Sequence, residues 1–447
     1  MNYLNDSYRS MFSKLLPSAI GAMLSETVAS LIDAIILNHY LGPDMLSTIS
    51  ICMPVYMVVN VLSMLIVSGG ATLFAQSLGK DDKPEAQRFY TCSIVLMVFC
   101  GALMTLFGLL FTRQIIGSLG AAGAILDPTV SYARVLFWFM IPLMLYQQLM
   151  VYVRFDGAPL LSLLSTVACA VVNLGLDVLF VGPLGWGPAG AALATCLAYT
   201  LAMLINACHL LRKNNGLVLR RGSLSAARIR RLLKTGVPLS ITQLGMAVGT
   251  VLFNVRIMQV GGSLYLDVYG AITQLSVVAM ALYEGVAQAC QPILAACFGA
   301  ENRGRLYRTI RYGFVMEVAA MALATALYLF GAGFVADLFS MEEATLRGVA
   351  VSAIRIYALS LLFTGLNTLI IYYFQVQEKV FRATMISLLS GTILPAVFLY
   401  ILTALYDASV IWWCYLIAQG LTLILSTLLY SRDKHAASPH NALAVSD

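Results

Sequence analysis

The feature that most constrains this chain is a series of apolar stretches, each long enough to cross a bilayer and separated by short polar loops. A helix rises about 1.5 Å per residue, so about 20 apolar residues match the hydrocarbon thickness. Twelve such stretches are present: 15–37, 46–68, 89–111, 130–151, 160–181 and 189–211, then 232–258, 265–289, 310–329, 348–371, 383–403 and 410–429. With 60% hydrophobic and 11% charged residues, against about 25% charged in soluble chains, one aqueous core cannot hide this surface. The expected fold class is an all-α integral membrane protein of twelve transmembrane helices.

Lys and Arg give the orientation. Lys80, Lys83, Arg88, Arg303, Arg305, Arg308, Arg311, Lys379 and Arg382 fall in alternate loops, on the same side as the basic central stretch 212–234. Few cations fall opposite, so both termini are expected in the cytoplasm and the chain in the cell membrane. The polar residues 1–13 lead into a span too long for a signal-peptide core, so no cleaved leader is expected. A net charge of +6 spread over short loops implies no nucleic-acid partner. The nine cysteines lie in or beside apolar runs without metal-ligand spacing and read as small hydrophobes. No metal site is expected.

The basic stretch divides two halves that resemble each other at a shift of about 221 residues. Pro17 falls on Pro238, Ser131 on Ser352, Arg134 on Arg355 and Tyr152 on Tyr373. At one residue less, "SLGKDDKPEAQR" falls on "CFGAENRGRLYR". Six spans per half is an even number, so the halves share one topology about an axis along the membrane normal. The expected organisation is a six-helix lobe 1–211, a cytoplasmic linker 212–234, a second six-helix lobe 235–430 and a polar, disordered tail 431–447. Two like lobes flanking a cleft suit a secondary transporter working by alternating access.

Acids inside a bilayer are costly and mark function. Five lie within spans: Glu26, Asp33, Asp177, Glu284 and Glu317. Asp33 is about 18 residues into one outward-running helix and Asp177 about 17 into another, so they lie at matching depth. Asn173 shares a helical face with Asp177, and Thr195 enters the next helix at a similar level. This set offers oxygen ligands for Na⁺, or a repelling pair suited to carrying a proton. At the repeat shift Asp33 maps to Asn254, Asp177 to Phe398 and Asn173 to Leu394, so coupling is expected in the first lobe alone. Glu26, seven residues before Asp33, and Glu284 with Gln288, in "ALYEGVAQACQP", are candidates for the substrate cavity. Glu317 is expected near the inner surface, paired with a basic loop residue. Arg134 and Arg355 occupy equivalent places as structural partners of acids or helix ends.

Several stretches resemble the multidrug and toxic compound extrusion (MATE) transporters. They are "GAMLSETVASLIDAIILNHYLGPDMLSTI", "SGGATLFAQSLGKDDKPEA", "YVRFDGAP", "NLGLDVLFVGPLGWGPAGAALAT", "QPILAACFGAENRGR" and "YYFQVQEKVFRATMISLL". The resemblance covers nearly the whole chain. It implies a monomeric antiporter exporting small organic, often cationic, compounds in exchange for H⁺ or Na⁺, with no other cofactor. It also implies a cation site on Asp33, Asn173, Asp177 and Thr195. Some members carry further acids in the seventh and tenth helices, where this chain has none, and many have an Arg near Leu389-Ser390-Gly391.

The alternative is a lipid-linked oligosaccharide flippase of the same architecture. Such a protein needs several cavity cations for pyrophosphate, and the in-span cations here are few: Arg134, Arg256 and Arg355. A major-facilitator transporter fits "GKDDKPEA" poorly. Four scattered histidines, His39, His209, His435 and His440, argue against an enzyme.

Overall fold

A computed structural model describes residues 3–213, 215–338 and 344–436. Among these residues the chain is helical throughout, without a strand. The principal helices are α1 (Tyr8–Leu41), α2 (Pro43–Gly79), α3 (Lys83–Leu110) and α4, which joins Gly123–Trp138 and Met140–Phe155 at a bend of 54°. They continue with α5 (Pro159–Val181) and α6 (Gly187–Ala207). One 74-residue helical stretch, Ala226–Gly299, changes direction at Gly262, whose φ of 68° no helix contains; it supplies α7 (226–261) and α8 (263–299). Last come α9 (Arg303–Leu338), α10 (Ala344–Val376), α11 (Val380–Leu405) and α12 (Ile411–Ala436). Ten helices are long and apolar enough to span, the bent pair adds one, and the break at Gly262 makes two of the longest. Twelve spans result among the described residues. Large apolar side chains such as Phe99, Leu110, Leu323 and Phe330 stand exposed on these helices, Phe330 by 90%, as expected where the solvent is lipid.

Local chemistry sets where the helices start and stop. The Asp82 side chain accepts from Glu85 N at 3.0 Å to begin α3, with Pro84 in its first turn. Helix endings repeat across the halves. Asp81 and Glu301 both take positive φ, 59° and 54°, just after α2 and α8. Asp82 N bonds Ser77 O at 2.9 Å, and Asn302 N bonds Cys297 O at 3.0 Å. The pair after α4 and α10 matches too: Gly157 and Glu378 have φ of 85° and 56°. Ala158 N and Lys379 N close the same turn on Val153 O and Phe374 O, each at 3.0 Å. The internal repeat is therefore written into helix-ending geometry as well as residue type.

The chain divides into two compact units. The first takes the described residues up to Ser240 together with Gln288–Leu306; the second takes Ile241–Ala287 and the described residues from Tyr307 onward. Compactness thus groups the end of α8 with the first unit, whereas the sequence division follows chain order.

Within the first unit, α5 packs on α1 and α6 around a core that includes Leu136, Met140, Met144 and Cys196. The end of α2 crosses the end of α8 at glycines. A Cβ at Gly79 would lie 2.0 Å from Ala296 O, and one at Gly299 would lie 1.9 Å from Gln76 O. No other residue type permits this reciprocal approach. The amino-terminal segment is anchored as well: Tyr3 Oη donates to Arg154 O at 2.9 Å, and Arg305 Nε donates to Tyr3 O at 2.9 Å. The basic stretch is docked in the same unit, with Arg228 paired to Glu85 at 3.2 Å and His209 to Asp156 at 2.7 Å.

In the second unit, α11 contains one π turn, Leu389–Ile393, just before Pro395. It lies at the Leu389-Ser390-Gly391 position where the sequence departs from the MATE pattern. Thr392 and Gly391 pack there against Gly245 and Gly249 of α7. Helix α12 runs past Ser431 to Ala436, and Asp433 is buried against Tyr373 and Arg382, with bonds of 3.0 and 2.7 Å. The first residues of the expected disordered tail are therefore ordered helix, held by an ion pair. The rest of that tail, 437–447, lies outside the described residues.

Candidate functional site

Helices α1, α2, α4, α5 and α6 enclose a cavity of about 280 Å³ in the first unit. Small residues on α1 and α5 (Ala29, Ser30, Ala170) leave the space, and Glu26, Asp33, Asn173 and Thr195 line it. Asp177 is buried one turn beyond Asn173, whose Nδ2 donates to Asp177 Oδ2 at 2.8 Å and lies 3.3 Å from Thr195 Oγ1. Asp33 lines the cavity beside Asn173, the hydrogen-bond partner of Asp177, and the two acids act on each other electrostatically. Oδ1 of each is shielded and receives no donor from the described residues. Two acids brought together in a buried site disfavour double ionisation, which a proton or a cation would relieve.

The structure thus brings Asp33, Asn173, Asp177 and Thr195 together, with Glu26 in the same cavity. Glu26 opens onto the cavity and accepts from Tyr146 Oη at 3.1 Å. Gln288 has a different neighbourhood: its Oε1 accepts from Arg154 Nη1 at 2.8 Å, and its Nε2 faces Met23 Sδ at 3.7 Å. Glu284, in the second unit, is buried and accepts from Tyr372 Oη at 2.8 Å. Glu317 departs from the expected pairing with a basic loop residue. It is wholly buried, and neither carboxyl oxygen has a hydrogen-bond partner among the described residues. The pairing rested on its nearness to the span end in sequence, but the helix face decides, and that face turns inward. Arg134 and Arg355 are exposed, and Arg355 Nε reaches Leu329 O at 3.4 Å.

Sequence reasoning missed the tyrosines of this cavity. Tyr56 and Tyr132 hydroxyls lie 3.3 Å apart, Tyr199 packs on Tyr146 with centroids at 5.1 Å, and Tyr146 bridges Glu26 to Thr166. It also missed Arg154, buried in the "YVRFDGAP" stretch rather than carried in a loop. Among the described residues no three His, Cys, Asp or Glu side chains gather as a metal site. Carboxylate, amide and hydroxyl oxygens suit a proton or a hard cation.

The second unit holds a cavity of about 140 Å³ of another character. Phe253, Tyr269, Tyr283, Tyr357, Trp412 and Tyr415 line it with Thr250, Thr273 and Ser276, and no charged side chain is part of its wall.

Comparison with known proteins places these features. The MatE family model matches twice, over 18–179 and 238–401, so the matches begin 220 and end 222 residues apart. The chain belongs to the MATE family. The double match falls at the shift of the internal repeat. Similar curated MATE relatives are the multidrug export proteins MepA of Staphylococcus aureus (strain bovine RF122 / ET3-1) and of Staphylococcus saprophyticus. Each is 25% identical, over 430 and 431 residues, covering 94% of this chain and 93% of the relative. Among solved structures, an outward-facing multidrug resistance MATE transporter and a MOP-superfamily transporter from Pyrococcus furiosus superpose with TM-scores of 0.90. Both are 23% identical and cover 97% of both chains.

Proposed function

We propose that this MATE-family chain is a secondary multidrug efflux antiporter rather than an enzyme. It exports small organic, often cationic, compounds against an inward gradient of H⁺ or Na⁺ by alternating access. The chain acts as a monomer in the cell membrane, with both termini in the cytoplasm. Asp33 and Asp177 bind the coupling cation, supported by Asn173 and Thr195, while Glu26 faces the organic substrate across the same cavity.

The single observation that carries this reading is the convergence of Asp33, Asn173 and Thr195, with Asp177 bonded to Asn173, on a cavity also lined by Glu26. Charge in a low-dielectric site is costly unless compensated. An entering cation compensates the aspartate pair, and an organic cation compensates Glu26. Two positive occupants of one cavity of about 280 Å³ repel, so binding of either weakens binding of the other, which is the requirement of exchange. The name of the MepA relatives supports the same cargo class.

The test is efflux of a fluorescent organic cation from cells or vesicles, with pH and Na⁺ gradients imposed separately. One of the two gradients drives efflux in the parent chain and fails to drive it in Asp33→Asn. Gradient-driven efflux undiminished in that variant contradicts the reading.

A further inference from the structure

Glu317 has no place in the coupling site just described, and its surroundings set it apart. It sits on α9 in the second unit with no exposed surface. A Cβ at position 365 of α10 would lie 2.3 Å from its Oε1, so Gly365 makes the seat for the carboxyl group. Met321 packs on the same seat and belongs, with Tyr283 and Leu361, to one buried apolar cluster. Neither carboxyl oxygen has a hydrogen-bond partner among the described residues. The charged group acting on it is another acid, Glu284 of α8, whose Oε2 accepts from Tyr372 of α10. The remaining titratable groups nearby are phenols: Tyr283, which both glutamates influence, with Tyr415 and Tyr357 beyond it.

A carboxylate in this setting would be desolvated, lack donors and face a like charge, three costs that nothing beside it offsets among the described residues. Small hard cations require several oxygen ligands, whereas the seat at Gly365 and Met321 is apolar and neither Glu317 oxygen is bonded to another group among the described residues. We propose that Glu317 is a proton-binding site of the second unit, distinct from the aspartate pair: it holds a proton in this conformation and releases it in one that admits water. The balance is simple. The Oε–H bond of Glu317 breaks, the proton passes to water or to the Glu284 carboxylate, and no other bond changes. Release charges Glu317, so it favours whichever arrangement of α8, α9 and α10 hydrates the group. The site ties protonation to the conformation of a unit whose cavity wall carries no acid.

Infrared spectroscopy of the purified full-length protein tests this, because a protonated carboxyl group has a carbonyl band separate from that of a carboxylate. At neutral pH the parent chain and Asp33→Asn should both show a buried-acid band that Glu317→Gln lacks. Glutamine imitates the neutral acid, so this variant should fold. Its ethidium efflux should lose part of the pH dependence that the parent shows. An identical acid band in Glu317→Gln, or an unchanged pH profile, overturns the proposal. Should that variant fail to fold, Glu284→Gln gives the answer instead: the Glu317 band must shift when its neighbour loses charge, and a band that stays in place overturns the proposal. Failure of the aspartate reading is seen separately, as normal efflux by Asp33→Asn.

Discussion

The cavities of the two units share a repeated fold and differ in almost every side chain that matters. The first is lined by two carboxyl groups, two amides, hydroxyls and tyrosines. The second is aromatic, with six rings and no charge in its wall. Duplication fixed the helices and their endings, down to matching turns after α2 and α8. It did not preserve the chemistry, since Asp33 falls on Asn254 and Asp177 on Phe398. Under the proposed function such a pair would separate tasks: a cation suits the place where oxygen ligands converge, and flat or greasy surface the place where rings can meet it.

The largest expected effect comes from removing an acid of the proposed cation site. Asp177→Asn should abolish drug resistance and gradient-driven efflux while membrane expression stays near normal. The amide keeps volume and hydrogen bonding but neither titrates nor attracts a cation. Resistance assays matched for expression check this.

A second large effect is expected at the helix crossing. Gly79→Val places side-chain atoms where the Ala296 carbonyl already lies 2.0 Å from a bare Cβ, so α2 and α8 must part. Cross-linking or spin-label distances between these helix ends should lengthen, and efflux should fall. The equivalent Gly299→Val should act alike because the approach is reciprocal.

A smaller and more selective effect distinguishes the cavities. Glu26→Gln should weaken export of permanently cationic dyes more than of neutral or zwitterionic compounds, by about tenfold for ~1.4 kcal/mol of lost attraction. Trp412→Ala, in the aromatic cavity, removes a cation–π partner worth about 0.5–2 kcal/mol. It should also reduce resistance to neutral aromatic compounds. A resistance panel across charge classes reads both, and equal losses for every class would erase the distinction. The smallest effect is expected from Asn254→Ala, the counterpart of Asp33, which should leave the ion dependence of efflux nearly unchanged.

The spans and the internal repeat were legible in the sequence because the bilayer imposes a length, and because charged loop motifs do not recur by chance. Asp33, Asn173, Asp177 and Thr195 were legible as one cluster since helical rise converts sequence position to depth. Depth says nothing about which way a side chain points. That is why Glu317, near a span end in sequence, was expected at a basic loop and lies in an apolar seat instead. Composition hid the tyrosines, because aromatic residues are as common at membrane interfaces as in cavities. Gln288 resembled a cavity residue, yet its partner Arg154 comes from a segment 134 residues away that no local pattern connects to it.

The most direct test of the aspartate pair is cation-coupled counterflow by purified protein in sealed vesicles, comparing the parent chain, Asp33→Asn, Asp177→Asn and Asn254→Ala under imposed pH and Na⁺ gradients. The account predicts that the driving gradient moves a fluorescent organic cation in the parent and in Asn254→Ala and in neither aspartate variant. Full counterflow in both aspartate variants, or its loss in Asn254→Ala, would contradict it.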